Sequence, residues 1–294
     1  MPKMHANEFD ISLSLVQKLV RQQFPQWAHL LLTPVSSAGT DNALYRLGKN
    51  LVVRLPRIDW AVSGAEVEYM WLPKLAPFLP ISVPVPLCRG VPTEDYPWSW
   101  SIYHWIEGQN PRVGDISNLD LLIDDLVAFI QALHKVKLPN GPMSSRGVPL
   151  ENKDDKTRKA LKELEGTLDV QAVTSLWEIA LRSPKWVKPP VWIHSDLSPG
   201  NLLMRNDRLC AVIDFGMLGV GDPACDLIIA WNLLPANKRD LFFRKMGVDE
   251  ATWQRGRGWA LSIALIALPY YKDTNPVLAT SARHVIKEIL QEGA

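Results

Sequence analysis

Three cysteines are a small stock for a chain of 294 residues. Cys88, Cys210 and Cys225 have none of the short spacings that hold a zinc ion, and an odd, sparse set argues against a disulfide framework. Reduced thiols in a cytoplasmic protein are the expectation, with Cys210 in an apolar run and Cys225 beside a helix start both buried and inert. An excess of one charge is also missing. Thirty-two Lys and Arg stand against 31 Asp and Glu, a formal charge of +1, which speaks against a general nucleic-acid or membrane-surface role. The longest apolar run, Trp259 to Tyr271, is too short to span a membrane and contains Pro269, so it reads as a buried helix. Near the start, Glu8 and Asp10 stand where an export signal needs a basic region and an apolar centre, so none is expected. Internal repeats and low-complexity linkers are absent. What remains, 47% hydrophobic and 21% charged residues, is ordinary globular composition, with enough chain for one large domain or two lobes.

The most informative stretch is HSDLSPGNLLMRNDRLCAVIDFG, from His194 to Gly216. An apolar lead-in, Val191 to Ile193, runs into a polar cluster with a Pro-Gly turn. Leu202 to Met204 and Leu209 to Ile213 read as two strands joined by a turn at Asn206-Asp207. Such a hairpin has Asp196 and Asn201 at its entrance and Asp214 at its exit. Three oxygen-bearing side chains gathered in one small volume call for a cation, and oxygen-only ligands favour a hard ion such as Mg²⁺.

The Asp-x-x-x-x-Asn spacing of Asp196 and Asn201, followed by Asp214-Phe215-Gly216, resembles the aminoglycoside phosphotransferase (small-molecule kinase) family of the protein-kinase-like fold. The resemblance implies a catalytic role for Asp196, which would accept the proton of a substrate hydroxyl. It implies that Asn201 and Asp214 hold Mg²⁺ and that His194 gives packing and backbone support. Ser198 is a candidate for the γ-phosphate or for capping the turn.

Upstream, strand-like runs flank two turns, Ser36 to Asn42 and Gly48 to Asn50. The first turn could lay backbone N–H groups over phosphates, with Ser37, Gly39, Thr40 and Asn42 as candidates, although it holds a single glycine. In the third strand, alternation puts Val52 and Arg54 on one face and Leu51, Val53 and Leu55 on the other. The resemblance makes Val52 the residue over the base and Arg54 the phosphate-holding cation, an arginine where the pattern usually has lysine. A helix around Trp60 to Leu75 offers Glu66 and Glu68 on different faces, and the family's E-x-x-W-L-P pattern selects Glu68 as the partner of Arg54. An aromatic-rich strand from Trp98 to Ile106 resembles the interlobe hinge, so Trp105 and Ile106 are placed at the nucleobase. Asp222 is expected to cap a helix, and Asp226 to hold the catalytic loop's backbone.

The expected fold is α+β and bilobal, protein-kinase-like, with an antiparallel-sheet N-lobe carrying one helix over 1–106 and a mostly helical C-lobe over 107–294. The expected function is transfer of the γ-phosphate of ATP, or GTP, to a hydroxyl of a small molecule, an aminoglycoside or related antibiotic among the acceptors, in a monomer or weak homodimer. The alternative is a nucleotide-binding pseudokinase or scaffold without efficient transfer.

Overall fold

Alternation of apolar and polar residues builds the first sheet. The computed structural model describes residues 7–36 and 39–292. Strands β1 (Leu32–Pro34), β2 (Asn42–Leu47), β3 (Leu51–Pro56), β4 (Pro86–Gly90) and β5 (Trp100–His104) form an antiparallel sheet in the order β1-β2-β3-β5-β4. Every second residue of β2 and β3 is buried: Ala43, Tyr45 and Leu47, then Leu51, Val53 and Leu55. They pack with Val16, Leu19 and Val20 of helix α1 (Leu13–Gln23), whose first turn Ser12 caps by accepting from the Leu15 N–H at 3.1 Å. Val52 and Arg54 face the other way, half-buried. The β2–β3 turn needs a left-handed residue, and Gly48 supplies it with φ +61°.

Helix α2 (Asp59–Leu75) leaves β3 and has two duties. Trp71, Leu72 and Leu75 join the larger of two apolar cores, while Glu68 is turned inward with no exposure. The larger core lies among α3 (Leu119–Lys135), α4 (Asp154–Glu163), α5 (Val170–Arg182) and the strands and helices that follow. After α5 come β6 (Val191–Ile193), β7 (Leu202–Arg205), β8 (Arg208–Val212) and β9 (Gly219–Gly221). Helices α6 (Ile229–Asn232), α7 (Ala236–Met246), α8 (Glu250–Tyr271) and α9 (Pro276–Glu292) complete the chain. The run from Trp259 to Tyr271 is the second half of α8 and is largely buried, as its composition implies.

Two small antiparallel pairs set the functional loops side by side. β7 and β8 form the expected hairpin, turned by Asn206 and Asp207 with φ 52° and 60°, the left-handed pair that a tight hairpin turn requires. β6 pairs with β9. The loop after β6 therefore lies against the loop between β8 and β9, and these carry Asp196, Asn201 and Asp214.

Candidate active site

Arg54 reaches from β3 into a set of carboxylates. Its Nη1 donates to Glu68 and its Nη2 to Asp214 Oδ1 at 2.7 Å. Glu68 also accepts from the Tyr103 hydroxyl at 2.7 Å and from the Phe215 N–H at 2.8 Å. One buried carboxylate thus ties together β3, β5, α2 and the loop after β8. Burial works against the Arg54 charge, but Glu68 and Asp214 outweigh it and hold the guanidinium well above its ordinary pKa. Burial, with the Glu68 charge beside it, likewise pushes the Tyr103 hydroxyl well up, so it stays a donor. Glu66, on the other face of α2, pairs with Arg89 near the surface. The helix comes close enough that a Cβ on Gly64 would sit 2.8 Å from Gly216 Cα, so only glycine permits this approach.

The loop after β6 is held from below. Asp226, with no exposure, accepts from the backbone N–H groups of His194 at 3.2 Å and Ser195 at 2.6 Å, and lies 2.9 Å from His134 Nε2. These bonds keep Ser195 in the left-handed region, φ 64°, where a side chain is normally disfavoured. His194 Nδ1 accepts from the Asp196 N–H at 3.2 Å, which leaves Nε2 to donate to the Ile213 carbonyl at 3.1 Å, and its ring packs on Phe215. So the backbone of Asp196 is fixed by the imidazole ring, and His194 bridges the two loops.

Asn201 is on the same loop. Its Nδ2 donates to the Asp196 carbonyl at 2.8 Å and lies 3.4 Å from Asp196 Oδ2. Its own carbonyl accepts from the Ile213 N–H at 2.9 Å, one residue before Asp214. Asp214 has φ 61° and a side chain 45% exposed, which leaves it open to the cleft. Asn201 Oδ1 and Asp214 Oδ2 accept no hydrogen bond among the described residues. They are uncommitted oxygens of the kind a hard divalent ion takes. No group of three or more His, Cys, Asp or Glu arranged to hold a metal ion occurs among the described residues, so Mg²⁺ here would complete its ligands with phosphate and water oxygens.

The remaining sequence candidates scatter around this centre. Ser37 lies outside the described residues. Gly39 is exposed, and Thr40 donates to Asp41 Oδ1 at 2.7 Å with its Oγ1 3.3 Å from the Tyr271 hydroxyl at the end of α8. Asn42 opens β2 with a buried Oδ1 that has no partner among the described residues. The Ser198 hydroxyl has none either and does not cap its turn, although the Ser198 carbonyl accepts from Asn201. Trp105 stands under the Arg46 guanidinium at 4.2 Å and donates its N–H to the Asn50 carbonyl at 2.7 Å. That amide is therefore spoken for, whereas the backbone groups of Ile106 are bonded to no described residue.

Residues 32–259 match the phosphotransferase enzyme family. The chain belongs to that family. Among curated proteins, the family chain is 26% identical over 136 residues to an aminoglycoside 3'-phosphotransferase of Salmonella typhimurium and 28% identical over 136 residues to one of Escherichia coli. Each match spans 44% of this chain and 50% of the relative, so the chain covers about half the length of those proteins. Among solved structures, the GDP complex of an aminoglycoside 2'-phosphotransferase superposes with a TM-score of 0.75 at 17% identity, covering 95% of this chain and 98% of the other. A macrolide 2'-phosphotransferase of Brachybacterium faecium superposes with a TM-score of 0.63 at 20% identity, over 93% and 97% of the two chains. These likenesses establish the bilobal kinase-like fold, antiparallel sheet above and helices below.

Two contacts at the site of this phosphotransferase-family chain escaped sequence reasoning. Tyr103 belongs to the stretch 103–107 expected at the hinge, but its bond to Glu68 was not foreseen; it pairs with Val52 in the sheet register and faces the same side, so strand alternation could have found it. Arg146 could not have been found that way. It lies in the loop between α3 and α4, fifty positions before Asp196, and its Nη1 donates to Asp196 Oδ1 and, at 3.3 Å, to the Ser195 carbonyl. Burial opposes this charge too, but Asp196 beside it holds the Arg146 guanidinium above its ordinary pKa.

Proposed function

We propose that this chain transfers the γ-phosphoryl group of ATP, with GTP as the alternative donor, to a hydroxyl of a small molecule. We further place nucleotide binding in residues 1–106 and acceptor binding in residues 107–294. The observation that carries the reading is the chain of ion pairs Glu68–Arg54–Asp214 across the cleft, closed by the Phe215 N–H on Glu68. It is the arrangement that phosphoryl transfer needs to hold a metal-binding carboxylate and a strand cation at fixed positions.

In the reaction, the acceptor oxygen forms a bond to the γ-phosphorus as the bond to the β,γ-bridging oxygen breaks, and the nucleoside diphosphate leaves with that electron pair. Asp196 orients the hydroxyl and takes its proton on a carboxylate oxygen. Asn201 holds Asp196 in place through its amide and, with Asp214, offers the oxygens for Mg²⁺. When bound, that ion would neutralise charge on the phosphates. Arg54 positions Asp214, and the backbone of Ile106 is available to a nucleobase edge. Positioning and electrostatics supply most of the catalysis in such transfers.

The test is nucleotide titration with and without Mg²⁺, paired with release of diphosphate in the presence of candidate acceptors. Asp196→Asn should lower turnover 100-fold or more, roughly 3 kcal/mol, and leave nucleotide affinity nearly unchanged. Asp214→Ala should lose the Mg²⁺-dependent part of binding. Near-normal turnover in Asp196→Asn would refute the base assignment. The relatives' names make aminoglycosides one arm of the acceptor set.

A further inference from the structure

The acceptor side of Asp196 is electropositive. Oδ1 of the proposed base carries the Arg146 guanidinium, and the remaining donors of Arg146, Nε and Nη2, bond to no described residue. A second cation stands close by. Lys153 ends the short turn Leu150–Lys153 that leads into α4, and its ammonium lies 5.7 Å from the centre of the Trp259 ring on α8. It has no carboxylate partner among the described residues. Burial, with Lys156 and Arg146 repelling it, pulls the Lys153 ammonium below the ordinary lysine range. Trp259 itself is 1% exposed, and its Nε1–H is a buried donor without an acceptor among the described residues. The carboxylates facing this region are already engaged: Asp41 accepts from Thr40, while Asp222 and Asp226 serve Arg255 and the loop backbone.

Unused donors on the arginine beside the base, with a half-buried cation near that arginine that no carboxylate pairs, ask for negative charge in the ligand. A polycation would meet the opposite, since its ammonium groups would approach a carboxylate already covered by a guanidinium, with a second positive charge nearby. We infer that the acceptor is an anionic hydroxy compound, bearing a carboxylate or a phosphate monoester that Arg146 and Lys153 hold while its hydroxyl meets Asp196. The inference rests on the phosphotransferase reading and narrows it. Arg146 suits the task because its planar fork can bond the base through one edge and a ligand anion through the other.

The test uses the full chain with Mg²⁺ and ATP, reading ADP release against four sets of probes: hydroxy carboxylates, sugar phosphate monoesters, uncharged polyols and kanamycin. The largest kcat/KM should fall in one of the two anionic sets, and which set responds separates carboxylate from phosphate recognition. Lys153→Gln removes a charge that stands over the Trp259 ring face and that no carboxylate among the described residues pairs, so it leaves no charge unpaired behind. It should raise KM for the anionic acceptor about tenfold, with KM for ATP unchanged and kcat little altered, the signature of lost ground-state binding. Preference for kanamycin or for uncharged polyols overturns the inference. So does an acceptor KM that Lys153→Gln fails to move, or silence of every anionic probe while Mg²⁺-nucleotide binding is intact. Failure of the unsubstituted chain to bind nucleotide with Mg²⁺ is a different result, which refutes the phosphotransferase reading itself and the inference with it.

Discussion

Glu68→Gln should cost more than its single-atom chemistry suggests. The carboxylate is fully buried and receives Arg54 Nη1, the Tyr103 hydroxyl and the Phe215 N–H. An amide of the same shape has one acceptor oxygen, and its NH₂ must face a donor whichever way it turns. The Arg54 side chain is only 13% exposed and would keep Asp214 as its one remaining carboxylate. Breaking a buried pair from one side typically costs about 3–5 kcal/mol, because the other charge is left uncompensated. Lowering the pH cannot discharge Arg54, and its raised pKa keeps it charged in alkaline buffers as well. The measurement is a double-mutant cycle of Glu68→Gln, Arg54→Met and the pair, by urea unfolding followed through tryptophan fluorescence. Each single variant should lose about 3–5 kcal/mol, and the double variant should lose about 2–3 kcal/mol less than their sum. Strict additivity, or a single-variant loss below about 1 kcal/mol, would show that this pair does not hold the cleft together.

Three further outcomes are expected. Gly64→Ala should weaken Mg²⁺-dependent nucleotide binding, because the new methyl lies 2.8 Å from Gly216 Cα and 2.9 Å from its carbonyl oxygen, forcing α2 away from the loop of Asp214; unchanged affinity would contradict this. Asp226→Asn should cost about 1–3 kcal/mol and lower kcat more than it raises KM for nucleotide, since a buried N–H of His194 or Ser195 loses its acceptor and the loop carrying Asp196 relaxes; denaturant midpoints with steady-state kinetics decide it. Asp249 caps α8, accepting from the Thr252 N–H at 2.7 Å, and hydrogen bonds from Thr252 hold its carboxyl below the usual range. A lowered pKa gives stability above the unfolded value of about 3.9 that is lost as the pH falls through the folded one. Asp249→Ala should therefore lose about 1 kcal/mol at neutral pH, and the gap to the parent should close in acid; a gap that persists there would refute the cap.

What the sequence makes legible here is local. The turn at Asn206-Asp207 and the strands on either side can be read from turn chemistry and alternation, and that hairpin sets the spacing of Asn201 and Asp214. The side that Arg54 faces follows from alternation alone. The choice between Glu66 and Glu68 does not, because helical spacing says only that they point differently. It took the family pattern to select Glu68, and the reason lies in partners 14, 35 and 147 positions away. Ser63 lies inside α2 with its hydroxyl donating to the Trp60 carbonyl, because Asp59 already begins the helix. Arg146 lies in a loop with no periodicity, and only the packing of that loop against the strand pair β6–β9 brings it to Asp196.

The arginine that replaces the usual strand lysine is explained by the same geometry. A lysine offers one compact charge, whereas the guanidinium fork gives separate nitrogens to two carboxylates at once. Arg54 uses both: Nη1 on Glu68 and Nη2 on Asp214. The substitution thus lengthens the reach of the strand cation and couples α2 directly to the loop of Asp214. With both terminal nitrogens engaged, Arg54 acts first on the placement of Asp214. The cleft therefore holds two arginines on carboxylates, Arg54 on Glu68 and Asp214 and Arg146 on Asp196.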